Sequence, residues 1–264
     1  VSLLEARDLA FAYAGRPPAV RGISLTAEKG EMVALCGPNG AGKSTLLQLL
    51  TGHLPLQSGT VTLGGRDVTS LRPKARARLV TLVPQTATGL LEAPLEEMVS
   101  LGRLARQSLA ERFLLRPQSD MDRRAVEAAL SDTDLAHLRG RRVRELSGGE
   151  RERARIAMAF AQDAEILCLD EPSAHMDPGH AADVMAALTR KAREGRAVVV
   201  ALHDLNLASL WASRLVLMAE GAVVSEGPAS EVLTAERVHE VFGPHLTLGR
   251  HPWTGRPVIF PRGA

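Results

Sequence analysis

Gly37-Pro38-Asn39-Gly40-Ala41-Gly42-Lys43-Ser44-Thr45 decides how this chain folds. An apolar run, Met32-Val33-Ala34-Leu35-Cys36, precedes it and has the character of a buried parallel strand. Leu46-Leu47-Gln48-Leu49-Leu50 follows and reads as the opening of a helix. Strand, glycine-rich loop and helix in that order are the context in which G-x-x-x-x-G-K-[ST] binds phosphate. The glycines let consecutive backbone N–H groups turn inward toward anionic oxygens, and the positive end of the helix adds to that field. Lys43 then reaches the terminal phosphates as a point charge, and the Ser44 hydroxyl can ligate Mg²⁺.

The chain of 264 residues has room for one large α/β domain with an ample core. Its hydrophobic content of 45% and charged content of 23% place it among ordinary globular proteins. A formal net charge of +2 gives no sign of a nucleic-acid partner. No unbroken apolar run exceeds six residues, so no segment reads as a membrane span. The opening VSLLEARDLAFAY carries charge too early and too often for a signal peptide. Cys36 and Cys168 both lie in apolar runs, which predicts buried free thiols and a reducing, cytosolic compartment. The eight histidines show no zinc-like spacing with them.

Away from the loop, residues 3–13 and 20–26 read as strands joined by the turn Gly15-Arg16-Pro17-Pro18. Thr60–Leu63 with Gly64-Gly65-Arg66 reads as a hairpin, and Leu79–Val83 as a strand stopping at Pro84-Gln85. From about 90 to 145 the chain becomes Arg-rich and helical in period, with Val126, Ala129 and Leu130 on one helix face. Strand–helix alternation resumes at residue 166 with ILCLD, AVVVAL, RLVLMA and AVVSEG, which predicts a doubly wound parallel sheet. The tail after 229 predicts two short helices and a small hairpin.

Several strand ends carry polar groups. Asp170 ends the strand ILCLD and fits the acid that holds Mg²⁺; Glu171 follows and can polarise a water for in-line attack. His203 ends AVVVAL, where an imidazole faces the ligand crevice of such a sheet. The Gln85 amide can reach Mg²⁺ or the attacking water. Leu146-Ser147-Gly148-Gly149-Glu150 opens another helix. Ser147 and Glu150 form a capping box, yet the two glycines leave N–H groups bare at a helix N-terminus, an anion site. About 100 residues separate it from the phosphate loop, so a second chain is better placed than the first to bring both to one phosphate. Tyr13, the only tyrosine, can stack on an adenine.

These motifs in this order resemble the ATP-binding cassette (ABC) ATPases, over residues 3 to about 235. The resemblance implies an α/β P-loop fold: a mainly parallel sheet core with an antiparallel β subdomain and a helical subdomain inserted at about 86–160. Residues 236–264 extend the same domain. It implies ATP and Mg²⁺ as ligands, with Tyr13, Gly37, Pro38, Asn39, Gly40, Ala41, Gly42, Lys43, Ser44, Thr45 and Asp177 on the nucleotide. Ser147, Gly148 and Gly149 of a second copy would close the sandwich, while Ser44, Gln85 and Asp170 serve the metal. Glu171, His203, Gln85 and Lys43 would carry catalysis. Two departures stand out: Glu150 replaces a common Gln and is expected back on the helix cap, and His175-Met176 replace the family's usual pair before Asp177.

Within the family, His203–Ala208, Gly227–Thr234 and His251–Gly255 resemble importer ATPases for iron–siderophore, haem or cobalamin. Such a chain sits at the cytoplasmic face of the inner membrane through a polytopic permease, which a substrate-binding protein supplies. Residues 86–105, with Leu90, Leu91, Met98 and Leu101, are either the permease groove or internal core. DNA-repair ATPases share the motifs but insert long coiled coils, for which 90–145 is too short. A regulatory nucleotide switch is the remaining alternative, opposed by the intact Glu171 and His203.

Overall fold

The computed structural model describes residues 1–85, 91–107, 119–174 and 176–263. Its centre is a six-stranded sheet in the order β10-β9-β3-β8-β7-β6. The strands are β3 (Met32–Cys36), β6 (Val80–Val83), β7 (Ile166–Asp170), β8 (Ala197–Leu202), β9 (Arg214–Ala219) and β10 (Ala222–Gly227). Five of them run parallel, and β10 returns antiparallel along β9 through the turn at Glu220-Gly221. The sheet is mainly parallel, as expected, but AVVSEG forms an antiparallel edge strand rather than one more parallel strand. A turn too short for a crossover can only make a hairpin.

β3 and β8 are buried on both faces, which explains their unbroken apolar sequences. On β3, Met32, Ala34 and Cys36 enter one core, while Val33 and Leu35 enter the other. The second core also contains α1 (Lys43–Leu50) and a four-stranded antiparallel sheet, β2-β1-β4-β5. That sheet comprises β1 (Ser2–Ala12), β2 (Pro18–Glu28), β4 (Ser58–Leu63) and β5 (Arg66–Asp67). Both cysteines are free and fully buried, and burial pushes each thiol up to about 12.

The first core continues into the helical region. It packs α3 (Leu95–Ser100), α4 (Asp120–Asp132) and α5 (Gly148–Gln162) together, with Val126, Ala129 and Leu130 buried as the periodicity predicts. Arg103 is 2% exposed. Its Nε donates to Asp122 Oδ1 at 2.7 Å and its Nη1 to Ala161 O at 2.7 Å, tying α4 to the end of α5. An unpaired cation at that depth would be prohibitive, so the ion pair keeps Arg103 inside. A short helix, α2 (Pro73–Leu79), takes Leu79 from the strand expected there, so β6 begins at Val80. The sequence PKARARL has no apolar face to announce it.

The remaining helices are α6 (Pro178–Arg193), α7 (Leu205–Trp211), α8 (Ala229–Val232) and α9 (Ala235–Phe242). The tail forms the expected hairpin, β11 (Leu246–Arg250) with β12 (Pro257–Pro261). No helix among the described residues is long and apolar enough to cross a membrane.

Candidate nucleotide site

The chain leaves β3 at Cys36 and turns through Gly37–Gly42 into α1. Two glycines are obligatory there. A Cβ at Gly37 (φ 148°) would stand 2.1 Å from Met218 O, and one at Gly42 (φ 95°) 2.2 Å from Ala19 O. Any side chain would therefore push the loop off β9 and off the start of β2. Lys43 is 5% exposed, and its Nζ donates to Gly37 O at 2.7 Å and Pro38 O at 3.0 Å. Burial pulls its pKa below the usual lysine value, while Glu171, Cys36 and Asp170 oppose that shift. The loop thus holds a cation curled inside it. Thr45 Oγ1 lies 3.2 Å from Tyr13 Oη, and the Tyr13 ring stands edge-on to Phe11 with centroids 5.0 Å apart. That fixes the aromatic beside the loop with 39% of its surface open.

Parallel pairing delivers the other strand ends to the same edge. β3 pairs with β8, β8 with β7 and β7 with β6, so His203, Asp170-Glu171 and Gln85 converge beyond the loop. Glu171 is a non-glycine residue in left-handed backbone, φ 54°, and its N–H donates to Ala201 O at 3.1 Å. Such a conformation costs roughly 1–3 kcal/mol and persists where surroundings enforce it. Gln85 Nε2 donates to Glu171 Oε2 at 2.8 Å, and His203 Nε2 pairs with Glu171 Oε1. Both carboxylate oxygens are therefore held by groups from neighbouring strands. Tyr13, Asn39–Thr45, Gln85, Glu171 and His203 line one open cleft of about 920 Å³.

Beneath this surface Asp170 is 6% exposed, and its Oδ1 has no hydrogen-bond partner. Burial lifts its carboxyl above the usual carboxylate range; the Ser44 hydroxyl beside it and the Lys43 charge pull the other way. A buried carboxylate oxygen without a donor, next to a hydroxyl, is a hard-oxygen pair suited to Mg²⁺. Among the described residues no group of three or more His, Cys, Asp or Glu could hold a metal by itself. Gln85 commits its amide nitrogen to Glu171, which leaves only its carbonyl oxygen for a metal.

Other expected site residues stand elsewhere. Ser147 caps α5: its Oγ accepts from Glu150 N at 3.2 Å, and Glu150 Oε2 accepts from Ser147 N at 2.6 Å. That backbone bond holds the Glu150 carboxyl below its ordinary range. Glu150 is on the cap, as expected. Ser147 and Gly148 are exposed, and none of Ser147–Gly149 lines the cleft. Asp177 caps α6, with Oδ1 accepting from His180 N at 3.0 Å, and also stays off the cleft. His175 lies outside the described residues. Sequence reasoning missed Arg16, Arg21 and Glu220 on the cleft wall. Arg16 sits in the turn just after Tyr13, and that proximity was the available signal.

The family model described as ABC transporter matches residues 20–174, from β2 to just past Glu171. The chain belongs to the ABC transporter family. Over 272 aligned positions the cassette is 38% identical to the hemin import ATP-binding protein HmuV of Bradyrhizobium diazoefficiens, covering 99% of this chain and 95% of that one. It is 34% identical to the iron(3+)-hydroxamate import ATP-binding protein FhuC of Bacillus subtilis, covering 97% and 93%. Its fold matches an inward-facing metal-chelate type ABC transporter with a TM-score of 0.83 at 24% identity, over 98% of this chain and 97% of that one. ATP-binding subunits of import systems in this family are ATPases coupled to transport.

Of the apolar set at 86–105, Leu91 is 52% exposed whereas Met98 is 6% exposed and packs into the core. The ABC fold thus assigns Met98 to the interior. Leu90 lies outside the described residues.

Proposed function

We propose that this chain is the ATP-hydrolysing subunit of an importer for an iron chelate, haem or a ferric siderophore. It works as a pair of copies docked on a separate permease at the cytoplasmic face of the inner membrane, with a substrate-binding protein supplying the permease. The observation that carries the ATPase reading is Glu171, held between Gln85 and His203 at the mouth of the cleft.

In this reading the backbone N–H groups of Gly37–Ser44 cradle the phosphates, and Lys43 moves from the loop carbonyls onto the terminal phosphate. Asp170 and Ser44 would hold Mg²⁺, which would supply charge neutralisation for the phosphates. The Tyr13 ring takes the adenine face. Glu171 accepts the proton of the attacking water while Gln85 and His203 keep its carboxylate aimed. His203 and Gln85 donate to the carboxylate, so neither competes with it for that proton.

The exposed Ser147–Gly149 turn serves the other copy, adding a hydroxyl and bare N–H groups to the γ-phosphate from the opposite side. Loss of that phosphate removes the anion joining the two chains, and hydrolysis opens the pair. Asp177, at the start of α6, belongs to the same inter-chain contact. The chain divides into a cassette over residues 1–235, with helices inserted at about 86–160, and an extension over 236–264.

The names of the relatives support an iron-chelate cargo, haem in one and ferric hydroxamate in the other. Reconstitution with the cognate permease and binding protein tests both halves of the proposal. Uptake of hemin or of a ferric siderophore must require ATP and must disappear with Glu171→Gln. Uptake of cobalamin alone would overturn the cargo, and uptake that survives Glu171→Gln would overturn the base.

A further inference from the structure

The C-terminal hairpin does more than end the chain, because it grips the helix that begins beside His203. α7 has only seven residues, its N-cap is Asp204, and it starts two positions after His203. A helix this short has little stability of its own and depends on what packs against it. β12 and Arg256 just before it supply that support at three points. Asn206 Nδ2 donates to Ile259 O at 3.1 Å while Asn206 Oδ1 accepts from Ile259 N at 2.8 Å, so one side-chain amide pairs with the free edge of the strand. The Ser209 hydroxyl, in a fully buried residue, donates to Pro257 O at 2.7 Å. Arg256 Nη1 donates to the carbonyls of Ser209 (2.6 Å), Leu210 (3.1 Å) and Ala212 (3.1 Å).

These are three of the four carbonyls a helix C-terminus leaves without partners, and a cation there also interacts favourably with the negative end of the helix dipole. α7 ends without a C-cap glycine, and Arg256 takes over that role. Ile259 closes the contact from the apolar side, joining the core that contains Leu205 and Ala208. The two stretches that pair here are about 50 residues apart; Asn206 lies within the importer-like segment His203–Ala208, and Arg256 directly follows His251–Gly255.

The geometry points to the hairpin as a brace that positions His203: Asn206, Ser209 and Arg256 hold α7 in register so that the imidazole meets Glu171. β8 fixes His203 from one side and α7 from the other; α7 also packs on β3 and α6, and the brace adds the polar bonds that set its register. These are positioning residues, since none of them lines the cleft. The inference rests on the ATPase reading of Glu171 and His203.

A rate cycle in the full-length protein tests it, with phosphate release followed under single-turnover conditions so that slow variants stay measurable. Asn206→Ala and Arg256→Ala are each expected to lower the hydrolysis rate about tenfold by misplacing His203. ATP affinity and the ATP concentration dependence should stay within about twofold, because the phosphate loop is untouched. In a His203→Ala background the same substitutions should change the rate by less than about twofold, since the group they position is gone. A purely structural role predicts the same loss in both backgrounds, and that result, or an unchanged rate in the His203-containing chain, overturns the brace. If His203→Ala itself leaves hydrolysis intact, the reading of the site fails instead. Ser209→Ala, which deletes a single bond, gives the same readout should the larger lesions prevent folding.

Discussion

Two helix starts in this molecule look alike in sequence and differ in what surrounds them. At α1 the glycines are forced by backbone contacts 2.1–2.2 Å from where a Cβ would sit, and strand ends from three neighbours complete a cleft. At α5 the start is exposed, the Ser147 N–H is taken by the Glu150 carboxylate, and Ser147–Gly149 do not line the cleft. The first is a finished site, strained and partly unsatisfied, as the positive φ of Glu171 and the orphaned oxygen of Asp170 record. The second has its cap bonds met within the chain, and in the proposed function a second copy brings the phosphate to it. A functional site announces itself by strain and unmet bonds, whereas half a site is quiet.

The largest expected effect breaks the finished half. Glu171→Gln should cut ATP hydrolysis at least about a thousandfold while ATP binding persists, because an amide cannot take the proton. Phosphate-release rates and a nucleotide-binding isotherm check this.

Next in size, Ser147→Arg should lower hydrolysis about a hundredfold, the scale of losing one oxyanion donor. ATP binding by the single chain should be unchanged. Normal hydrolysis in that variant would mean that the α5 start takes no part.

A smaller change sharpens the finished half. Tyr13→Ala should weaken ATP binding about tenfold, the ~1.4 kcal/mol expected of base–aromatic stacking. The same substitution should leave binding of inorganic triphosphate alone, which calorimetry can compare directly.

The smallest effect concerns stability. Burial raises the Asp170 pKa in the fold, so the native state prefers the protonated carboxyl. The stability that group contributes is present below its unfolded value and lost as pH rises through the folded one. At neutral pH its charge therefore costs stability. Asp170→Asn should raise Tm measurably at neutral pH, as thermal unfolding can check. That gain should shrink in acid and should come with loss of hydrolysis.

How much of this was legible in the sequence follows the same contrast. β3, β7 and β8 are buried on both faces, so each reads as an apolar run whose polar terminator marks the cleft. Asp170, Glu171 and His203 were visible for that reason. Arg16, in a turn, and Arg21, at an exposed position of β2, were not, because an exposed cation looks the same whether it faces water or a cleft. α2 escaped notice since four of the seven residues in PKARARL are basic or proline and none is buried. The antiparallel return of β10 depends on turn length rather than on periodicity. Asn206 stood inside a recognisable stretch, but its pairing with Ile259 depends on a contact across 53 residues that no local pattern reveals.

In the proposed function two polypeptides hold one triphosphate between them. Sedimentation of Glu171→Gln with Mg²⁺ and ATP, beside the double variant Glu171→Gln/Ser147→Arg, measures that directly. The single variant should sediment as a dimer and the double variant as a monomer that still binds ATP. A monomeric single variant, or a double variant that pairs equally well, would contradict it.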